Sequence, residues 1–295
     1  MSEFQLTRIE TTQGLKFRVG EVSVTRVVEK AFLMDPSRFM PKCTPEALER
    51  HASWLRPHFV SEDGRLKMSM HALVVESRGR TIVVDTCVGN DKSAPLPQIT
   101  AATRFLEDFR AAGFDPLRVD YVLCTHLHVD HVGWNTMRVD GIWRPTFPNA
   151  RYLFGRREWD YWRTQHDPMA VSILSESLRP VIDAGLVDLV ESDHRLTDEV
   201  SLVPTPGHTP GHCSVLIRSR GSEGIITGDV LHHPVHVAEP DWGIGADASI
   251  EGATGARRDF VQRYGDRPVL VIGTHFHTPT AGHIVRGAQG WWFKV

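Results

Sequence analysis

The stretch CTHLHVDHVGW, residues Cys124 to Trp134, sets His126, His128, Asp130 and His131 within six consecutive positions at the end of the apolar run DYVLC. Three imidazoles and a carboxylate are costly to bury as ordinary core, because each polar group then needs a partner. Imidazole together with carboxylate is the donor set of zinc and related first-row divalent ions, whereas calcium takes oxygen ligands alone. In an extended or turning segment His126 and His128 project to one side, and Asp130 and His131 can fold round toward a second ion. Each site still lacks donors. Three later segments offer them: PGHTPGH brings His208, TGDV brings Asp229 and GTHFH brings His275. A carboxylate between two ions can bridge them, and Asp229 is the candidate for that place.

The rest of the composition narrows the alternatives. The chain has 295 residues, enough to bury a sizeable core as one α/β domain spanning 1–295. With Lys plus Arg at 33 and Asp plus Glu at 36, the net charge of −3 and the lack of a basic run exclude a nucleic-acid partner held mainly by charge. Cys43, Cys87, Cys124 and Cys213 are widely spaced and form no CxxC pair, so they read as small buried side chains. No stretch approaches ~18 consecutive apolar residues. The segment MSEFQLTRIETTQGLKF also lacks the apolar centre of a signal peptide, so the expectation is a cytoplasmic protein without a membrane partner.

Local patterns place the motifs on elements. Alternation in EVSVTRVVE and in HALVVESRGRTIVVDT predicts strands, the second a hairpin around SRGR that ends at Asp85. TPEALERHASWL, opening on a Thr cap, predicts a helix inside residues 34–68, a segment suited to a lid or a homodimer contact. Further helices are expected over TAATRFLEDFRAAGF, near Arg157–Gln165 and near Thr254–Tyr264. Strands that run up to His208, Asp229 and His275 would deliver these donors to one rigid sheet edge.

Taken together, the HxHxDH run and the later donors resemble the metallo-β-lactamase superfamily. That resemblance implies an αββα sandwich, two mixed sheets with helices outside, and two Zn2+ or other first-row divalent ions at a sheet edge. By position, His126, His128 and His208 would hold the first ion and Asp130, His131 and His275 the second, with Asp229 bridging. Asp85 matches a superfamily aspartate that supports the ligands. His212 is left with a structural role. The segments FPNARYLFGRREWDYW, PTPGHTPGHCSVLI, GDVLHHPVHVAEPDW and TPTAGHIVR resemble the branch containing methyl parathion hydrolase and the acyl homoserine lactone lactonases. His232, three residues after Asp229, stands where those lactonases carry a substrate-contacting tyrosine.

The implied chemistry is hydrolysis by a hydroxide bridging the two ions, with Asp130 taking a proton as the intermediate collapses and His232 contacting the substrate. No GxSxG nucleophile elbow competes with that reading. The expected substrate is a small carboxylic ester or lactone. A phosphotriester is the alternative, and a non-catalytic metal-binding protein is the alternative of another class. Trp134, Trp159, Trp162 and Trp242 are candidates to line an apolar pocket.

Overall fold

In the computed structural model, residues 7–8, 12–94, 102–288 and 290–295 are described. One sheet holds β1 (Thr7–Arg8), β2 (Lys16–Val19), β3 (Val22–Met34), β4 (Leu66–Ser77), β5 (Arg80–Val84) and β6 (Tyr121–Leu123). A two-stranded ribbon of β7 (Thr136–Val139) and β8 (Ile142–Pro145) follows. The first sheet then resumes with β9 (Arg151–Gly155) and β10 (Val187–Val190). The second sheet is β11 (Val200–Pro204), β12 (Cys213–Ser219), β13 (Ser222–Ile226), β14 (Val269–Ile272), β15 (Ala281–Gly287) and β16 (Gly290–Lys294), in that order.

Strand alternation builds the layers. Leu73, Val75, Ile82 and Val84 of the first sheet meet Val215, Ile217, Ile226 and Ile272 of the second in a core between the sheets. The intervening Ala72, Val74 and Val83 point the other way, onto Phe105 and Phe109 of the helix Phe105–Ala111. On the far side Leu216, Ile225 and Val271 pack with Phe260 and Val261 of the helix Ile250–Tyr264. The result is the αββα sandwich that the resemblance implies, with a period-two pattern feeding both faces of each sheet.

Parallel pairs β5–β6 and β13–β14 bring four strand ends to one edge. Open α/β sheets bind ligands beyond the carboxyl ends of their strands. Asp85 follows β5 directly, and the HxHxDH run follows β6. The hairpin before Asp85 turns at Arg78 and Gly79, both with positive φ, which suits the twist of its strands.

Some expectations shift. Strands stop at Pro204, Ile226 and Ile272, so His208 and His275 lie on loops and Asp229 in the 3-10 turn Gly228–Val230, three to four residues beyond. TPEALERHASWL is two short helices, Pro45–Glu49 and Ala52–Leu55, because the backbone leaves the helical region at His51 (φ −106°, ψ 2°). The expected helix near 157–165 is Arg156–Trp162, and that near 254 starts earlier, where Ser249 caps the N–H of Gly252. Of the helix expected from Thr100, Thr100 and Ala101 lie outside the described residues.

Gly133, just past the histidine run, sits where a Cβ would fall 1.7 Å from the carbonyl oxygen of Val88. Backbone cannot yield as a side chain can. Gly133→Ala is therefore expected to cost about 1–3 kcal/mol of stability or more, read as a lower urea midpoint at unchanged m-value.

Candidate metal centre

All seven candidate donors converge in one buried space. Donor atoms of His126, His128, His208 and Asp229 lie within 4.8 Å of one another, and so do those of Asp130, His131 and His275. Nδ1 of His128 is 3.0 Å from Nε2 of His126 and 2.8 Å from Nε2 of His208. Across the cluster, Nε2 of His131 and of His275 are 3.3 Å apart. One Asp229 carboxylate oxygen stands 3.2 Å from His131 and 3.4 Å from His208, while the other is 3.2 Å from His275. Tetrahedral zinc with imidazole ligands implies donor separations of about 3.3 Å. The cluster is compact enough for that.

Hydrogen bonds on the outer side of each ring assign its tautomer. His131 Nδ1 donates to Asp85 at 2.9 Å, and His208 Nδ1 donates to Asp247 at 2.9 Å. His275 Nδ1 donates to the Ser69 carbonyl at 3.1 Å. Thr125 spends its hydroxyl proton on Asp85 at 2.8 Å, so it accepts from His126 Nδ1 at 3.1 Å. Four Nε2 atoms are thereby turned inward toward the carboxylates, where each can bind a proton or a metal cation. A donor set of five nitrogens and two carboxylates fits a pair of divalent first-row ions.

Protons compete for the inner nitrogens. Burial would lower His131 and His275, yet both lie above the usual imidazole range because Asp229 faces them, with Asp85 and Asp130 beside His131 and Asp130 beside His275. Burial would raise Asp229, but His131, His275, His232 and His126 hold it well below the ordinary carboxylate range. Burial pushes His126 and His128 well down. The centre gathers positive charge on one side and excludes it from the other.

Asp229 is aimed by its own main chain. Its N–H donates at 2.7 Å to Nε2 of His212, whose Nδ1 bonds Thr205, so His212 takes the structural place left to it. Gly228 must be glycine here: its φ is +55° and a Cβ would lie 2.5 Å from that same Nε2. His277 reaches the carbonyl of His58, outside the cluster. His232 lies 3.0 Å from Asp229, is lowered to about 4 by burial, and packs edge-on against Phe39.

Several supporting residues escape sequence reasoning. Glu158 accepts from the N–H of Leu127, the N–H of Gly211 and the indole of Trp162, tying the two histidine loops together. Glu29 sits at a bulge of β3 and accepts from Val88, Gly89 and the indole of Trp134. Burial raises both carboxyls, against the pull of those donors. Asp247 carries a further ion pair with Arg257.

The tryptophans expected to line the pocket do not. Trp134 and Trp162 spend their indole N–H groups on buried carboxylates, Trp242 joins the outer core and Trp159 packs under the first sheet. The cavity of about 120 Å³ at the centre is walled instead by Phe32, Met34, Phe39, Met68, Met70 and Ile244. A larger surface depression of about 470 Å³, between Trp54 and the β15–β16 hairpin, contains none of the donors.

This arrangement of an αββα sandwich with a histidine-rich centre at one edge defines a class, and the sequence comparison makes it specific. The pattern of the Metallo-beta-lactamase superfamily matches residues 69–275, more than half of the chain, and the chain belongs to that superfamily. It is 30% identical over 131 residues to an N-acyl homoserine lactonase of a Bacillus species, a match covering 44% of this chain and 46% of that protein. The N-acyl homoserine lactonase AttM of Rhizobium radiobacter is 30% identical over 125 residues, covering 41% and 44%. The matched stretch thus spans about half the length of these curated relatives.

Two solved structures share the fold. AidC, a dizinc quorum-quenching lactonase in complex with a product N-hexanoyl-L-homoserine, superposes with a TM-score of 0.79 at 20% identity, covering 95% of this chain and 96% of that one. The hydrolase AbOPH of the beta lactamase superfamily gives 0.78 at 22% identity, covering 97% and 99%.

Glu158→Ala would strand three buried donors at once. The expected loss is on the order of 3 kcal/mol or more, measured by urea unfolding, against little change for Ala at the exposed Glu62.

Proposed function

We propose that the protein is a dinuclear metal hydrolase of lactones and related carboxylic esters. The observation that carries this is the inward convergence of four fixed Nε2 lone pairs, Nδ1 of His128 and two carboxylates. His126, His128 and His208 would hold one ion, Asp130, His131 and His275 the other, and Asp229 both, with zinc the natural choice for this donor set. When bound, such a pair of ions supplies Lewis acidity and a water-derived nucleophile at neutral pH.

The chain's own residues do the rest. Asp130, at the cavity wall and partly exposed, would take the proton freed as the carboxylate forms and hand it to the departing alkoxide as the ring opens. His232 reaches the same cavity and is positioned to hydrogen-bond the substrate oxygen. The phenyl and thioether wall suits an uncharged acyl group. Of the two roles expected of residues 34–68, cover for the cavity is the better supported: Phe39 lies on His232, and Arg50 and His51 hold Glu239 at 3.4 and 2.9 Å. Relatives named as lactonases favour a lactone over a phosphotriester. Among the described residues no helix is long and apolar enough to cross a membrane.

In a mixed panel the best lactone or carboxylic ester should exceed paraoxon-type phosphotriesters in kcat/KM by at least about tenfold, on the order of 1.4 kcal/mol. Activity should vanish on chelation and return with zinc. Equal turnover of phosphotriesters would promote the alternative, and no turnover of any ester by the zinc-loaded protein would leave a metal-binding protein only.

His232→Phe should keep two ions per chain and lower kcat, which is how a contact made in the transition state is lost. Loss of an ion in that variant would make His232 a ligand instead.

A further inference from the structure

The two corners of the centre are braced by different groups. Asp85 serves both, directly through His131 and, by way of the Thr125 hydroxyl, through His126. His275 leans on a neutral carbonyl. Asp247 reaches His208 alone, and its carboxylate is fully buried. Its two oxygens also take Nη2 of Arg257 at 3.0 and 2.9 Å and the N–H of Ile244 at 3.0 Å.

Main-chain bonds fix this register. The N–H of Ala248 donates to the His208 carbonyl at 2.8 Å and that of Ser249 to Gly207 at 3.2 Å. Gly207 lies so close to the helix Ile250–Tyr264 that a Cβ would fall 2.4 Å from the Ala253 nitrogen. Arg257, on the same helix and fully buried, also donates from Nε to the carbonyl of Val230, next to Asp229.

We propose that Asp247, clamped by Arg257, is a positioning residue that sets how tightly the three-histidine corner holds its ion, separately from the other corner. This rests on the dinuclear reading above. A buried anion behind Nδ1 fixes the His208 tautomer and the direction in which Nε2 points, and partners of that kind are worth about 10- to 100-fold in metal affinity. The competing explanation is that Asp247 exists only to neutralise the buried Arg257.

The test separates them. Zinc is titrated by chelator competition into wild type, Asp247→Asn, and the double variant Asp247→Asn with Arg257→Met, in which no buried charge is left unpaired. His128→Ala marks the three-histidine corner, and Co2+ absorption reports which corner is filled. The expected result, in the single variant or in the double if the single does not fold, is one ion weakened about 10- to 100-fold and the other unchanged. Asp247→Glu should recover part of the loss. Two ions held as in wild type by the double variant would overturn the proposal, as would equal weakening of both. Wild type that binds no zinc would instead remove the dinuclear reading itself.

Discussion

Five imidazole nitrogens and two carboxylates are pressed together with their donor atoms facing inward. Without a cation such a set repels itself, so the fold must hold each ring from behind. It does so with an outward N–H bond on His126, His131, His208 and His275, and with a carboxylate, hydroxyl or carbonyl placed to receive it. Those receivers come from β4, from just beyond β5 and β6, and from the loop before the helix Ile250–Tyr264, so the first sheet and the approach to the far helix are both committed to the centre. The buried carboxylates of Glu29 and Glu158 extend the same logic to the loops themselves. Each replaces water for several donors that the loops would otherwise leave bare.

The donors were legible because their chemistry is concentrated in short spacings: four of seven lie in one six-residue run, and the others follow paired Gly, Pro and Asp signals. The layers were legible from strand alternation in segments such as HALVVES. What supports the centre was not. Asp247, in GIGADAS, reads as a turn or cap residue, and its partner His208 is 39 positions away. Glu158 stands in a short helix where a solvated carboxylate is the ordinary expectation, and only the folded chain brings Leu127 and Gly211 to it. The tryptophans misled for a related reason. An indole near a motif can serve a pocket or a carboxylate, and spacing alone does not distinguish the two.

The cavity wall was equally hidden. Phe32, Met34, Met68 and Met70 sit at adjoining ends of β3 and β4, and they meet because Phe32 pairs with Met68 across the ladder. Two of them lie outside the histidine motifs by more than ninety residues. Thioethers adapt their shape at small cost, so this wall accommodates differences in the shape of whatever enters the cavity better than a wall of branched side chains would.

The reciprocal bonds between Ser69 and His275 join the two sheets, with the Ser69 N–H donating to the His275 carbonyl and the His275 ring donating back. Through this clasp the centre draws on residues from 69 to 275, 206 positions apart. During synthesis the first corner can gather its three histidines only after residue 208 has emerged from the ribosome. The second cannot close until residue 275 has joined β4, which by then has waited on the ribosome for about two hundred additions. At the usual pace of synthesis that is on the order of ten seconds or more. A chain interrupted before that point carries a half-built centre and an uncovered sheet edge, so completion of the metal site coincides with closure of the sandwich.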